Sequence, residues 1–341
     1  MRLLITGGCG FLGSNLAAEA LRLDKEVFIF DNLSRSGSRN NLEWLGKQGK
    51  FQFYKKDIRL AEEVNKVVKD IKPDIVFHLA GQVAMTTSLE DPWKDFEVNV
   101  IGSLNLLESL RKFSPEAQTL YSSTNKVYGD LEKYEYIEKE TRYEVKGLDY
   151  GFDESTELDF ISPYGCSKGA ADQYMLDYSR NFGLQNIVFR HSSIFGDRQF
   201  STFDQGWVGW FIRQALIQKK DKSAPLFTVS GNGKQVRDVL FTSDLISCYF
   251  SAVDNFDKSS GEAFNIGGGM QNSLSLLELL TFLEEELDTG LKFEQAQWRS
   301  NDQKIFVADT RKAESFFKWF PKKEKNEGLK EMIRWVQDNE L

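Results

Sequence analysis

Near the start of the 341-residue chain a strand-like run, Leu3-Leu4-Ile5, leads into Gly7-Gly8-Cys9-Gly10-Phe11-Leu12-Gly13, and an alanine- and leucine-rich helical stretch, Ser14 to Arg22, follows. No other segment limits the fold as much. Glycines at 7, 10 and 13 turn the chain sharply, and with Phe11 and Leu12 they offer bare backbone N–H groups at a helix N-terminus. That arrangement accepts a pyrophosphate, and side chains there would block the approach. Asp31 ends the next strand-like run, Val27-Phe28-Ile29-Phe30, with Asn32 beside it. A carboxylate at this place accepts hydrogen bonds from an adenosine ribose 2′-hydroxyl and repels a 2′-phosphate, so the pattern predicts NAD as cofactor. Arg35, close by in sequence, keeps NADP as the alternative.

Further strand-like runs occur at Phe51-Gln52-Phe53-Tyr54, Ile75-Val76-Phe77, Thr119-Leu120-Tyr121 and Asn186-Ile187-Val188-Phe189, separated by helical segments at 61–70, 93–111 and 170–182. This alternation predicts an α/β fold with a doubly wound parallel sheet, the Rossmann architecture. At ~150 residues per domain the chain has room for a second unit. The rhythm changes after Ser201, with a turn at Ser230-Gly231-Asn232-Gly233 and helical stretches at 207–218, 274–286 and 328–337. The expected division is a nucleotide-binding domain over 1–195 with a returning segment near 236–258. A smaller C-terminal substrate-binding lobe then comprises 196–235 and 259–341. Leu131 to Asp149, rich in Tyr, Glu and Lys, shows no period and reads as a long loop, a candidate lid.

Composition narrows the chemistry. Lysine and arginine number 43 against 51 acidic residues, a net charge of −8, which excludes a generally basic surface that coats nucleic acid. Three scattered cysteines (Cys9, Cys166, Cys248) and two histidines (His78, His191) give neither a disulfide framework nor a zinc spacing, so no metal centre is expected. Met1 to Thr6 is already strand-like and no run of ~18 apolar residues occurs, which predicts a cytoplasmic protein without a membrane partner.

Chemistry concentrates in two segments. Ser162-Pro163-Tyr164-Gly165-Cys166-Ser167-Lys168 places Tyr164 and Lys168 four apart, on one helical face. A tyrosine ionises near ~10, and a neighbouring ammonium favours the phenolate, making Tyr164 a candidate proton shuttle. Tyr121-Ser122-Ser123-Thr124 ends a strand, at the edge where open α/β sheets bind ligands, and Thr124 there can align a reacting hydroxyl. Asp57-Ile58 follows the third strand, where the carboxylate either accepts from an adenine amino group or caps a helix. Leu79-Ala80-Gly81 would let a cofactor pass close to the chain. His78, ending an apolar run, reads as a structural histidine.

Together these segments resemble the extended short-chain dehydrogenase/reductases, and within them the nucleotide-sugar epimerases, over essentially the whole chain. The family's glycines fall on Gly7, Gly10 and Gly13, its ribose acid on Asp31, its helix asparagine on Asn99, and its catalytic trio on Thr124, Tyr164 and Lys168, with Ser122 also at the cofactor. Arg237-Asp238 with Asp244 resembles the family's Arg-Asp segment, and Arg299-Ser300-Asn301-Asp302 its later Arg-x-x-Asp. The resemblance implies that Arg237 and Arg299 grip a diphosphate, which suits the guanidinium fork.

The family's 4,6-dehydratases carry an Asp-Glu pair after the threonine; here Asn125 and Lys126 stand there, which leaves epimerisation, or net oxidation or reduction. The segments Ala80–Ser88, Ser123–Asp130, Arg190–Ser193, Phe203–Trp210 and Ser230–Asp238 resemble the 2-epimerases of CDP-linked 3,6-dideoxyhexoses (CDP-paratose and CDP-tyvelose), including Ser193 where the wider family usually has asparagine. This implies transient oxidation of a CDP-linked deoxy sugar at C2, for bacterial O-antigen. It implies substrate contacts at Thr86, Ser88, Thr124, Asn125, Lys126, Ser193, Arg237 and Arg299, and a homodimer or homotetramer built on the 93–111 and 170–182 helices. A C4 epimerase of another nucleotide sugar, a net dehydrogenase and a cofactor-sensing binding protein are the alternatives.

Overall fold

The structure, a computed structural model, describes residues 1–298 and 302–339. Seven parallel strands form its central sheet: β1 (Arg2–Thr6), β2 (Glu26–Asp31), β3 (Gln52–Lys55), β4 (Ile75–His78), β5 (Gln118–Thr124), β6 (Gln185–His191) and β7 (Ala263–Ile266). Their spatial order is β7-β6-β5-β4-β1-β2-β3. The order reverses at β1, which has β2 on one side and β4 on the other. The carboxyl ends at this switch point carry Thr6, Asp31, His78 and Thr124, and a ligand crevice belongs there.

Alternation along each strand sends side chains to both faces. Leu3 and Ile5 pack with Leu16, Ala17 and Ala20 of α1 (Phe11–Arg22). Leu4, Phe28, Phe30 and Val76 pack on the other face against α2 (Ala61–Ile71), α3 (Gly102–Phe113) and α4 (Ser162–Phe182). The expected 93–111 helix is in fact three joined pieces. A short helix, Pro92–Phe96, runs into a five-residue π turn, Glu97–Ile101, and then into α3. Single π turns of this kind gather at functional sites. The α4 helix starts at Ser162, eight residues before the predicted start, with Pro163 in its first turn. Tyr164 and Lys168 are therefore inside it.

The smaller lobe packs α5 (Trp207–Lys220), α7 (Leu276–Leu287) and α8 (Lys325–Asn339) around Ile212, Leu279, Leu283 and Met332. A reciprocal capping box, Ser275 with Glu278, starts α7. The strand Val236–Phe241 does not join the main sheet; it pairs with Ser193–Phe195, Ser273–Ser275 and Ile305–Phe306. The chain returns through α6 (Thr242–Asp254), whose Leu245, Cys248 and Tyr249 enter the core beside β1, and then through β7. Residues 263–266, expected in the smaller lobe, are thus an edge strand of the nucleotide-binding sheet.

The 131–149 segment is a hairpin rather than a loose lid. Tyr136–Glu138 pairs antiparallel with Tyr143–Val145, and these strands are too short for a period to register in sequence. The hairpin is bolted to the smaller lobe: Tyr143 N–H donates to the Lys234 carbonyl at 3.0 Å, Asn232 Nδ2 to the Tyr143 hydroxyl at 2.7 Å, and Arg142 meets Glu278 at 2.9 Å.

Candidate active site

A single cavity of about 760 Å³ runs from the glycine loop, past the ends of β4 and β5, to the smaller lobe. Gly7 has φ +70°, and a Cβ on it would lie 2.7 Å from the Ala80 nitrogen; on Gly13 it would lie 2.2 Å from the Gly7 carbonyl oxygen. Gly10 is the N-cap of α1 and no side chain caps the helix, so the first-turn N–H groups face the cleft, whose wall includes Gly7, Gly10, Phe11, Leu12 and Gly13. This cradle has the room and the donors that a dinucleotide pyrophosphate requires.

Asp31, at the end of β2, accepts the Cys9 N–H at 2.9 Å and the Leu33 N–H at 2.7 Å. Burial raises its pKa and those two bonds oppose the rise. Asn32 donates to Asp57 at 3.2 Å. Asp57 is held down at about 2, chiefly by its bonds from the Arg59 guanidinium. Ile58 packs against Gly102, where a Cβ would come within 2.7 Å. Leu79, Ala80 and Gly81 form the neighbouring wall. Arg35 donates to Gln205 and lies near Asp204. That guanidinium already has protein partners, which favours the unphosphorylated cofactor.

The reactive end lies between β5 and α4. Tyr164 is buried against Thr124, and a hydrogen bond joins their side chains. The Lys168 ammonium donates to the Ser122 carbonyl at 2.5 Å and sits 4.2 Å from the centroid of the Tyr121 ring. Burial pushes Tyr164 up to about 12 and Lys168 down to about 7. The expectation that Lys168 alone lowers the tyrosine therefore needs amendment. Burial, with the nearby Asp95 carboxylate, opposes the ionisation that a neighbouring ammonium favours, and the Thr124 hydrogen bond works the other way.

Asn125 donates to Gln303 at 3.2 Å. Lys126 and Arg237 both reach Asp302, at 3.3 and 2.7 Å, and all three line the cavity. Ser193 lines it too, its hydroxyl accepting from Trp207 Nε1 at 3.1 Å. Arg299 lies outside the described residues.

Several expected contacts sit elsewhere. Ser88 is fully buried, and its hydroxyl donates to the Met85 carbonyl and accepts the Tyr164 N–H at 3.2 Å, so it seats the tyrosine instead of facing the cavity. Thr86 does not line the cavity; its neighbour Thr87 does, and donates to Asp204 at 3.2 Å. Asn99, buried in the π turn, spends its amide on Gln82, Asp95 and Ser167 and stands behind the wall. No residue of 131–149 lines the cavity. His78 is satisfied by Thr6 and Ser103, at 2.7 and 3.0 Å, as a structural histidine would be. Sequence reasoning missed Thr87 and Gln205 on the wall, and Gln303 and Asp95, which are buried behind it. Thr87 and Gln205 lie within segments that carry the family resemblance without being singled out there, whereas nothing local marks Gln303 or Asp95, and only the fold brings those two in.

Residues 3–267 match the NAD dependent epimerase/dehydratase family. The chain is 56% identical to the CDP-paratose 2-epimerase of Salmonella typhi over 98% of its own length and 99% of that protein. Among solved structures it resembles a UDP-glucose 4-epimerase of Thermotoga maritima with UDP-glucose (TM-score 0.85, 27% identity, all of both chains). It also resembles the Thermus thermophilus UDP-glucose 4-epimerase in complex with NAD (TM-score 0.81, 27% identity, 99% of this chain and all of that one). Taken with the glycine cradle, the ribose acid and Tyr164 on one cavity, and Lys168 buried behind its wall, these matches make the chain a member of the NAD dependent epimerase/dehydratase family.

Proposed function

We propose that the protein epimerises C2 of a CDP-linked 3,6-dideoxyhexose, interconverting CDP-paratose and CDP-tyvelose, in the cytoplasm and in the service of O-antigen synthesis. The observation that carries the reading is the 56% identity to a CDP-paratose 2-epimerase over 98% of the chain. Three unpaired cysteines suit a reducing compartment. The glycine cradle with Phe11 and Leu12 holds the NAD pyrophosphate, Asp31 and Asn32 the adenosine ribose, and Asp57 and Ile58 flank the adenine. Leu79 to Gly81, Ser122, Tyr164 and Lys168 surround the other end.

When bound, NAD supplies a hydride acceptor for sugar C2 and a positive charge beside Tyr164. The Tyr164 oxygen takes the proton of the C2 hydroxyl, which Thr124 aligns, and later returns it. A C2 hydrogen flanked by an alcohol and the anomeric carbon is too weakly acidic to be removed directly, so the carbon must pass through a ketone. Arg237, with Lys126 and Asn125 on the same wall, anchors the nucleotide diphosphate while the keto sugar turns its other face to the cofactor. Asn125 and Lys126 stand where the family's dehydratases carry an Asp-Glu pair, so the carboxyl acid and base that expel water from C6 there are missing.

A homodimer or homotetramer is part of the reading. Trp93 is 69% exposed, stacked on Phe96, and Tyr174 and Phe182 are open on α4. Apolar surface of this kind on adjacent helices suits a partner copy. Sedimentation at twice the 39.1 kDa chain mass or more is expected. The catalytic reading is tested by offering CDP-paratose, CDP-tyvelose and UDP-glucose separately and following C2 and C4 by NMR. Inversion at C2 of the CDP sugars alone is expected; inversion of UDP-glucose at C4 overturns the assignment.

A further inference from the structure

Behind the reactive pair the fold buries four ionisable groups: Lys168, Arg190, Asp172 and Asp95, each 5% exposed or less. Two of them cancel directly, because Arg190 makes a two-pronged bond to Asp172 at 3.0 and 2.9 Å. One ammonium and one carboxylate remain. Asp95, on the short helix before the π turn, accepts from the Ser167 hydroxyl, from Gln82 Nε2 at 2.8 Å and from Asn99 Nδ2 at 3.2 Å. All three donors are neutral, and among the described residues no lysine or arginine is within ion-pair distance of it. The Lys168 ammonium likewise touches only a carbonyl and a ring face.

Shared partners link these two groups. Ser167, which bonds Asp95, directly precedes Lys168, and both Asn99 Oδ1 and Lys168 Nζ lie beneath Gly81, where a Cβ would come within 3.1 and 3.8 Å of them. An ammonium removed from water without a counter-charge gives up its proton.

We propose that Asp95 is a positioning residue: its carboxylate is the counter-charge of the Lys168 ammonium, and its three acceptor bonds tie the Gln82 wall, the Asn99 turn and the α4 helix together beneath the reactive end of the cleft. The other groups facing Lys168 do not fill that role. Asp172, on its own helix, also favours the Lys168 ammonium, more strongly than Asp95 does, but its charge is already matched at contact by Arg190. His78 of β4 and His191 of β6 are each pushed down to about 3 by burial and by Lys168, and so carry no charge at neutral pH. Tyr121 and Tyr164 are pushed up by burial and stay neutral. Burial drags Lys168 down to about 7, and Asp172 and Asp95 oppose that drop.

The inference rests on Tyr164 and Lys168 being the reactive pair, but its test needs no substrate, so its failure is separate from failure of the CDP-sugar reading. Lysine labelled with 13C at Cε is followed by NMR against pH in the NAD-saturated protein, with the Lys168 signal identified by its loss in Lys168→Met. In Asp95→Asn the Lys168 midpoint is expected to fall by at least ~1 pH unit, the shift an opposite charge at close range produces. In Ser167→Ala, which keeps the charge and removes one bond, it should stay put. An unchanged midpoint in Asp95→Asn overturns the proposal. Should that variant not fold, Lys168→Met reads the coupling from the other side: the Asp95 carboxyl carbon should titrate at higher pH than in the parent protein, and an unmoved titration overturns it equally.

Discussion

Removing the Asp172 carboxylate should cost more stability than any other single charge deletion near the site. Asp172 is completely buried and accepts Arg190 Nε and Nη2 at 3.0 and 2.9 Å and the Ser123 hydroxyl at 2.8 Å. With Asp172→Ala, Arg190, 4% exposed, keeps the Tyr128 hydroxyl at 3.1 Å but loses its counter-ion. Breaking one side of a buried pair costs about 3–5 kcal/mol. Unfolding entropy is ~2.1 cal/mol/K per residue, or ~0.7 kcal/mol/K for a chain of this size, so the expected fall in Tm is ~4–7 °C. Thermal unfolding followed by circular dichroism at pH 7.5 measures it. The double change Asp172→Leu with Arg190→Met removes both charges and should recover much of the loss. A single variant that melts within about 1 °C of the parent would refute the reasoning.

Tyr164→Phe should lower turnover by at least ~100-fold while NAD stays bound, as fluorescence of the loaded protein can check; near-normal turnover would mean that another group moves the proton. Gly13→Ala should abolish NAD binding in calorimetry, since its Cβ would sit 2.2 Å from the Gly7 carbonyl oxygen and 2.6 Å from the Gly8 Cα; intact affinity would contradict the cradle. His78 and His191 are pushed down to about 3 in the folded protein, against ~6.5 when unfolded. The unfolded chain therefore binds the extra protons, and stability, complete above pH 6.5, falls as pH drops toward 3, by up to ~1.4 kcal/mol per unit for each histidine. A urea midpoint at pH 5 equal to that at pH 7 would contradict this.

What the sequence made legible was chemistry that is local in the chain. The glycine loop, Asp31 and the four-residue spacing of Tyr164 and Lys168 each lie within one strand, turn or helix, and the structure brings the loop, Asp31 and Tyr164 to one cavity with Lys168 buried behind it. Less legible were the residues whose role depends on what packs against them. Ser88 and Asn99 come from motif-bearing segments yet face inward, because α4 and the π turn claim their hydrogen bonds. Thr87, one residue past the expected Thr86, takes the wall because the helix Met85–Glu90 turns it there. The 131–149 hairpin has only three residues per strand, below the length at which alternation separates strand from loop, and the edge strand β7 lies far from the other strands in sequence, after the smaller lobe has begun. The tyrosine pKa went astray for a related reason: spacing puts an ammonium nearby, but only the fold reveals how completely both groups are dried.

The most direct test of the central claim, redox-neutral inversion through a 2-keto sugar, is isotopic. The NAD-loaded protein is incubated with CDP-paratose or CDP-tyvelose in deuterated water without free cofactor, and the product is read at C2 by NMR. The account predicts interconversion with protium retained at C2, because the same hydrogen leaves and returns. Deuterium at C2 would mean that the carbon exchanges its hydrogen with solvent, and the mechanism would be wrong.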